Sequence, residues 1–507
     1  MSLEDIQKLQ QTQENTLRPP KSSNKLLWGK ELKNALYQAK QAEIARINAE
    51  LALSATDGKK KEVNALTPAQ VVKVLKEYVL FCIFDEDDGT KIAMYQPNIG
   101  IWTQNITKIN RVIAYMEYGS PDKKFKEIRN TILLSADIKP KTVNKNLIPV
   151  KNGIYNLKTK TLGEFTPEYI FTSTINTKYN PDIVEPNIDG WKPSEWLDSL
   201  ACGDEEIRLL LLQVIADAVN GNYSRKKAIW LYGNGSNGKG TFQALLMNII
   251  GRENIATLKV NQFSDRFALS QLVGKTAVIG DDVNAGIYID DSSDFNSVVT
   301  NDSVKIEYKH ENPYSTVLYC TVIQSTNGMP TIRNKTDGTY RRLLIVPFEA
   351  KFKGDGDNWK IKDEYIKKEE VREWFLYQAL QLDFEKFIEP HRSRELLEQY
   401  KQDNDPVAEF KAMIFDELVA SGMNRIPTST VYELFNRFCE EQNYKRWSQK
   451  TFNKQLKELI GDDWEQSRMR YLPQNVGDLE ALKEKGISIQ SISPKVYSIN
   501  LTWVYSK

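Results

Sequence analysis

Residues Leu231 to Phe242 read LYGNGSNGKGTF. Gly233, Gly238 and Lys239 fall at the spacing of a phosphate-binding loop, in which glycines let backbone N–H groups close on phosphate and the lysine reaches the terminal phosphates. Such a loop ordinarily puts Ser or Thr straight after the lysine, where the hydroxyl ligates Mg²⁺, but here Gly240 follows and Thr241 comes one position late. The loop alone is not decisive, because two glycines and a lysine at this spacing arise by chance in roughly 0.15 of chains of such length. Context adds to it. AIWLY before the loop has strand character, and TFQALLMNIIG after it has helical spacing closed by glycine, the order that aims a helix N-terminus at an anion. The nucleotide cradle expected is therefore Gly233, Asn234, Gly235, Ser236, Asn237, Gly238, Lys239, Gly240, Thr241 and Phe242.

A second apolar run, KTAVIGDDVN, ends in Asp281 and Asp282. With ATP and Mg²⁺ as ligands, Lys239 would contact the β and γ phosphates, Thr241 and Asp281 would hold the metal, and Asp282 would orient the attacking water. The plain alternative for either carboxylate is a turn aspartate at a strand end. VLYCTVIQSTN supplies Asn327 at a strand end, placed to sense a γ-phosphate, and KTDGTYRRLLIVPF supplies Arg341 and Arg342 before an apolar strand. An arginine that reaches a neighbouring subunit's nucleotide neutralises transition-state charge, although an isolated arginine pair is more often solvated surface.

These groups need a scaffold. AIWLYG, TAVIGDD, VLYCTVIQSTN and RRLLIVPF are short apolar runs of the kind covered on both faces in a parallel sheet, which marks residues 191–355 as an α/β core. Residues 1–65 are polar, with a helix expected over Leu32 to Ser54 acting as a surface helix or spacer. Residues 66–190 read as an α+β domain, opening with a helix that carries Val71, Val72, Leu75, Val79 and Leu80 on one face. Strand-like KIAMYQPNIGIWT and NGIYNLKTKTLGEF follow, and DIVEPNIDGWKPSEW reads as a connection. A helical connection spans 356–404 and a last domain 405–507. The fold class expected is a multidomain α/β protein.

Composition narrows the partners. The 507 residues carry 68 basic and 67 acidic side chains, a net charge of +1, so a nucleic-acid surface has to be local. The longest apolar stretch, around Leu209 to Ile215, is too short to span a membrane and the N-terminus has no signal-peptide pattern, so a cytoplasmic protein without a membrane partner is expected. Cys82, Cys202, Cys320 and Cys439 form no C-x-x-C pair and the histidines are only His310 and His391, which argues against a zinc site or a disulfide framework.

The order of strand, GNGSNGKGTF, VIGDD, a strand ending in Asn327, and RRLLIVPF resembles the superfamily 3 helicases, in the phage and plasmid primase-helicase branch that includes poxvirus-type nucleoside triphosphatases. LIPVKNGIYNLKTKTLGEF, Leu147 to Phe165, looks like the N-terminal domain of that branch. The resemblance covers about Thr67 to Phe352, and in overall layout the chain resembles replication initiators of staphylococcal pathogenicity islands. It departs from the pattern at Gly240 and at Asp282, where many relatives have glutamate. The resemblance implies a central AAA+ type P-loop ATPase using ATP and Mg²⁺, assembled as a hexamer that draws single-stranded DNA through its centre with a hairpin lying between the acidic pair and the sensor strand. In NDSVKIEYKHENPYS, Lys309 and His310 fall in a turn between strand-like VKIEY and STVLYC and would hold the DNA backbone. One of Arg225, Lys226 or Lys227 would offer a second cation to a neighbour's nucleotide.

In the last domain PVAEFKAMIFDELVAS, PTSTVYELFNRFCEEQN and SQKTFNKQLKELIG have helical patterns. In the third, Phe452, Leu456, Leu459 and Ile460 form the apolar face and leave Gln449, Lys450, Asn453, Lys454 and Lys457 opposite, side chains suited to phosphates and base edges. With WEQSRMRYLP and a late strand VYSINLTW, a C-terminal winged helix domain with a long wing is expected, bound to double-stranded DNA at a replication origin. A charged helix face is otherwise most often only solvated.

The function expected is an ATP-dependent helicase and replication initiator, a homo-oligomer with host replication proteins as further partners. Two rivals stand beside it: a DNA-binding regulator whose P-loop controls assembly, and a nucleotide kinase, which G-K-G-T also fits. No primer synthesis is expected, because the 65 residues before the first packed domain are too few and too polar for a primase.

Overall fold

The computed structural model describes residues 26–54, 62–86, 89–284, 288–289, 292–309, 312–332, 337–354, 358–423, 425–442, 444, 446–461, 463–470 and 501–506. The chain forms two compact units. The first comprises Met1–Val283, Ser293–Asn327 and Val346–Pro390, and the second Asn284–Ser292, Gly328–Ile345 and His391–Lys507.

The first unit opens with the helix Gly29–Ser54. Leu32 and Leu36 are fully buried and join Leu66, Val71, Leu75 and Ile109 in one apolar cluster. The other residues of the helix are mostly exposed or half-buried, so it lies at the surface, and what is corrected is the spacer: a narrow leucine stripe on an alanine-rich helix is enough to dock it, and a polar composition hides so thin a stripe. The next helix, Pro68–Tyr78, starts at a capping box in which Thr67 accepts from the backbone of Gln70 and the Gln70 side chain accepts in return from Thr67 N. It stops at Tyr78 because Phe81–Ile83 has become a strand, so Val79 and Leu80 belong to the junction. That strand pairs antiparallel with Ala93–Gln96, which pairs with Ile101–Thr103, and on its other side it runs parallel to Asp137–Ile138. A separate antiparallel sheet joins Leu147–Val150, Gly153–Asn156 and Thr161–Gly163.

The central sheet has five strands: β1 Ala228–Tyr232, β2 Ile255–Thr257, β3 Ala277–Val283 and β4 Thr321–Thr326, all of the first unit, and β5 Leu343–Pro347, of which Val346 and Pro347 are counted in that unit. Their spatial order is β5-β1-β4-β3-β2. β1, β4, β3 and β2 run parallel, with Ile229 opposite Ile323, Val322 opposite Val278, and Ala277 opposite Ile255. Every residue of β4 and β5 is buried, which is why these runs read as continuously apolar rather than alternating. Because β4 lies between β1 and β3, the loop after β1, the acids at the end of β3 and the asparagine after β4 emerge along the same sheet edge. In an open parallel sheet, that edge is where ligands bind.

Beneath the opposite edge sits a buried ion pair. Asp217 Oδ1 accepts from Arg225 Nη1 at 3.0 Å while its Oδ2 accepts from Thr321 Oγ1 at 2.8 Å, and the Arg225 guanidinium lies 3.7 Å over the Phe384 ring.

In the second unit the helix Thr428–Glu441 and the helix Gln449–Ile460 pack around Phe410, Phe435 and Phe452, with the rings of Phe435 and Phe452 stacked at 4.2 Å. Strands Arg425–Pro427, Leu501–Ser506 and Glu465–Arg470 form an antiparallel sheet with the second of these in the middle. Tyr288–Ile289 pairs parallel with Thr331–Ile332 in the same unit.

Candidate nucleotide and nucleic-acid sites

The loop from Gly233 to Gly238 delivers the chain from β1 into the helix Lys239–Ile250. Gly238 sits at φ 87°, in the left-handed region, and a Cβ there would come within 2.3 Å of Leu200 Cδ2, so only glycine turns the chain at this point. The turn sends Lys239 inward, leaving it 7% exposed. Its ammonium donates to Gly233 O, to Asn237 Oδ1 at 3.3 Å and to Asn327 Oδ1 at 3.0 Å. Asn237 is itself held by donating to Phe348 O at 2.8 Å, and Phe352 N donates to Ser236 O at 2.9 Å, so the loop is clamped to the chain beyond β5. Burial pushes the Lys239 ammonium below its usual pKa, against the pull of the negative charges on Asp281 and Asp282. A desolvated cation surrounded by neutral oxygens gains from a full negative charge, and a phosphate supplies one.

Asp281 and Asp282 are both exposed, although neighbours on a regular strand face opposite ways. The explanation is a register shift between Gly280 and Val283, with Asp282 at φ 49°, a bulge that turns both carboxylates out at the strand end. Gly280 is required beside it. A Cβ there would lie 2.3 Å from Gln324 Oε1, and buried Gln324 needs that path to reach Val260 N at 2.9 Å and Leu258 O at 3.1 Å.

Next to the loop opens a cavity of about 350 Å³ lined by Trp191, Trp196, Phe352, Ile361, Ser236 and Thr241. An aromatic and aliphatic wall beside a phosphate loop fits a nucleoside base and sugar. Sequence reading missed this wall, since GWKPSEW was read only as a connection; its two tryptophans were the available signal. Of the expected cradle, Asn234, Gly235, Ser236 and Gly240 are exposed at the loop surface and Thr241 is half-buried. Phe242 is corrected. Its ring is fully buried 5.8 Å from that of Phe348 and its N–H is spent on Gly238 O, so it anchors the helix and offers nothing to a ligand.

For the metal, no group of three or more His, Cys, Asp or Glu side chains among the described residues could hold an ion alone. The Thr241 hydroxyl and the Asp281 carboxylate are oxygen donors of the type that, one or two together with phosphates, usually hold Mg²⁺.

The basic residues differ in how far they are committed. Arg341 is exposed, whereas Arg342 is half-buried and donates to Gly338 O; both belong to the second unit. Of the three cations before β1, Arg225 is spent in the ion pair described above and Lys227 donates to Glu389 at 2.8 Å, leaving Lys226 exposed. The expected hairpin forms from Ser303–Ile306 and Tyr314–Val317, shorter than the sequence runs, with Lys309 exposed in its turn. His310 lies outside the described residues. At the hairpin's neck the Lys91 ammonium sits 3.9 Å over the Tyr308 ring, which stacks on Tyr314.

In the second unit, the helix Gln449–Ile460 buries Phe452, Leu456 and Ile460 and exposes Gln449, Lys450, Lys454 and Lys457. Asn453 departs from the expected face: it is half-buried, with a buried Oδ1 at the margin of the apolar side.

Three family models match separate stretches of the sequence. One described as D5 N terminal like matches residues 89–200, one of a family of unknown function matches 231–342, and one described as Poxvirus D5 protein-like matches 402–493. Among curated proteins the chain is similar to two named as candidate helicases, 184R of Invertebrate iridescent virus 6 and L207/L206 of Acanthamoeba polyphaga mimivirus. It is 22% identical to the first over 336 residues, covering 58% of this chain and 34% of that one, and 25% identical to the second over 233 residues, covering 41% and 22%. The chain thus spans about a third of the length of the first of these relatives and less of the second. A solved structure of the apo NrS-1 C-terminal region aligns with a TM-score of 0.45 and 14% identity, covering 80% of this chain and 97% of that one.

Proposed function

The chain belongs with the D5-like primase-helicases of phages and poxviruses, and from that premise we propose that it is an ATP-hydrolysing DNA helicase that also acts as a replication initiator. The observation that carries the reading is the convergence on Lys239: a buried ammonium whose nearest oxygens include Asn327 Oδ1 from the end of β4, with Asp281 and Asp282 turned out at the end of the next strand. Lys239 would bind the β and γ phosphates, and Asn327, released from the lysine when a phosphate takes its place, would report the γ-phosphate. Asp282 would orient the attacking water. Mg²⁺, held between Thr241, Asp281 and the phosphates, would neutralise the charge that develops on them. Trp191, Trp196, Phe352 and Ile361 would cover the base and exclude water.

The strand order, with the sensor strand between the loop strand and the acidic strand, supports an AAA+ type core of superfamily 3. An arginine in trans requires a neighbouring subunit, and the family resemblance makes that assembly a hexamer; Arg341 fits the role better than Arg342, which is tied to its own Gly338. Lys309 and His310 would track the single strand. The helices Thr428–Glu441 and Gln449–Ile460 with an antiparallel sheet of three strands support a winged helix in the second unit, with Gln449, Lys450, Lys454 and Lys457 toward duplex DNA at an origin. The test is strand displacement on a forked duplex with ATP and Mg²⁺. The parent should unwind it and Lys239→Ala should not, with hydrolysis lower by about 10³-fold. Hydrolysis by Lys239→Ala at the parent rate would refute the assignment.

A further inference from the structure

Gly240 leaves a gap. The position after the loop lysine ordinarily carries a side chain directed at the ligand, and here it has none. A Cβ built on Gly240 would meet one group within 4 Å, the Lys362 ammonium at 3.5 Å. Lys362 lies on the short helix Lys360–Asp363, one residue past Ile361, which lines the cavity together with Gly238 and Thr241. That helix is fixed in place. Ile361 N donates to Asn358 O at 3.1 Å and Glu364 N to Lys360 O at 2.8 Å, while buried Tyr365 and Ile366 follow. Ile366 O accepts from Asn248 Nδ2 on the P-loop helix at 3.2 Å.

Lys362 itself is exposed and makes no hydrogen bond or ion pair among the described residues. Its ammonium therefore stands at the first turn of a helix that already begins with Lys239. Cations are unfavourable at a helix N-terminus, where the backbone N–H groups carry partial positive charge. An anion between the two lysines reverses that sign. We propose that Lys362 is a second, cis-acting phosphate ligand, which enters the space left by Gly240 and contacts the diphosphate of the bound nucleotide. The inference rests on the nucleotide reading above and adds to it a residue from beyond β5.

The test is equilibrium binding of adenosine and of ADP, in EDTA, to the full chain and to its Lys362→Met, Lys362→Arg and Lys239→Ala variants. EDTA isolates direct contacts to phosphate from those made through a metal. Lys362→Met should weaken ADP about 10-fold or more, as expected for loss of a charged hydrogen bond, and leave adenosine unchanged. Lys362→Arg should recover most of the loss. A purely structural role would weaken adenosine and ADP together, which would overturn the proposal. Parent-like ADP binding by Lys362→Met, with binding lost in Lys239→Ala, would overturn this inference and leave the nucleotide site standing. Parent-like ADP binding by Lys239→Ala would overturn both.

Discussion

Lys239 and Lys454 are both lysines on helices of 12 residues, and their surroundings are opposite. Lys239 is 7% exposed and held by three oxygens, whereas Lys454 is exposed and has no hydrogen bond or ion pair among the described residues. The first has lost its water before any ligand arrives. Its geometry is set by a left-handed glycine, by Asn237 and by the end of β4, and such preorganisation is what selective stabilisation of one transition state requires. The second keeps its water and its rotamers, which suits a polyanion whose charges repeat and whose counterions are released on contact. The chemistry proposed at the β1 loop and the adhesion proposed on the helix Gln449–Ile460 thus call for opposite surroundings, and the two regions have them. Substitutions in the first region should act on turnover, and those in the second on salt-dependent affinity.

The largest effect that would sharpen the contrast concerns the arginines. Arg341→Ala should lower kcat by about 10³-fold, the scale of a trans-acting arginine, and leave ATP affinity near that of the parent. Arg342→Ala should instead lower the melting temperature, because it removes the bond to Gly338 O. If Arg342→Ala alone abolished turnover with the fold intact, the assignment would pass to it. Mixing inactive Arg341→Ala subunits with inactive Lys239→Ala subunits gives a second reading, since a finger acting in trans should restore part of the activity.

A smaller effect follows from the Lys239 environment. Burial holds the free ammonium's pKa below 10.5, and a bound phosphate would raise it again. The bound state then carries more protons than the free state, so ATP affinity should fall as pH rises from the depressed pKa toward the raised one, by at most about tenfold per pH unit for one proton. The same shift makes the free protein's site a cost to folding at neutral pH, one that diminishes as pH rises through the depressed pKa. Calorimetric titration of the parent with ATP across pH checks the first point, and thermal unfolding of the parent and of Lys239→Ala across pH checks the second. A slope that persisted in the variant would assign the proton elsewhere.

The sequence made the candidate site legible wherever it was local. Gly238, Lys239, the Asp281 and Asp282 pair and Asn327 each announced themselves at the end of an apolar run, and in the structure those ends share one edge of the sheet. What stayed hidden was contributed by distance. Trp191, Phe352 and Ile361 meet at the loop only after the sheet has closed, and Asn237 owes its position to Phe348, 111 residues away. Phe242 was misassigned because adjacency along the loop was taken for adjacency to the ligand, and helical geometry turned its ring into the core. The docking of the opening helix stayed hidden for the reverse reason, since Leu32 and Leu36 anchor it while the residues around them look solvated.

The smallest effects belong to the helix Gln449–Ile460, where each cation acts almost alone. Lys450, Lys454 and Lys457 are spaced to follow one face, and each that contacts a duplex phosphate displaces about one counterion. Removing any one with alanine should weaken duplex binding only a few-fold at moderate salt, yet lower the slope of log affinity against log salt by about 0.9. Gln449→Ala should leave that slope unchanged and reduce the preference for an origin over generic duplex, because an amide reads base edges rather than phosphate. Fluorescence anisotropy across a salt series separates the two outcomes. If all three lysines could be replaced with no change in slope, the face would be merely solvated, and duplex binding would have to come from the hairpin that carries Lys309. A loss of ATP hydrolysis without DNA in these variants would break the comparison, since it would mean that the exposed face and the buried site are not separate in function.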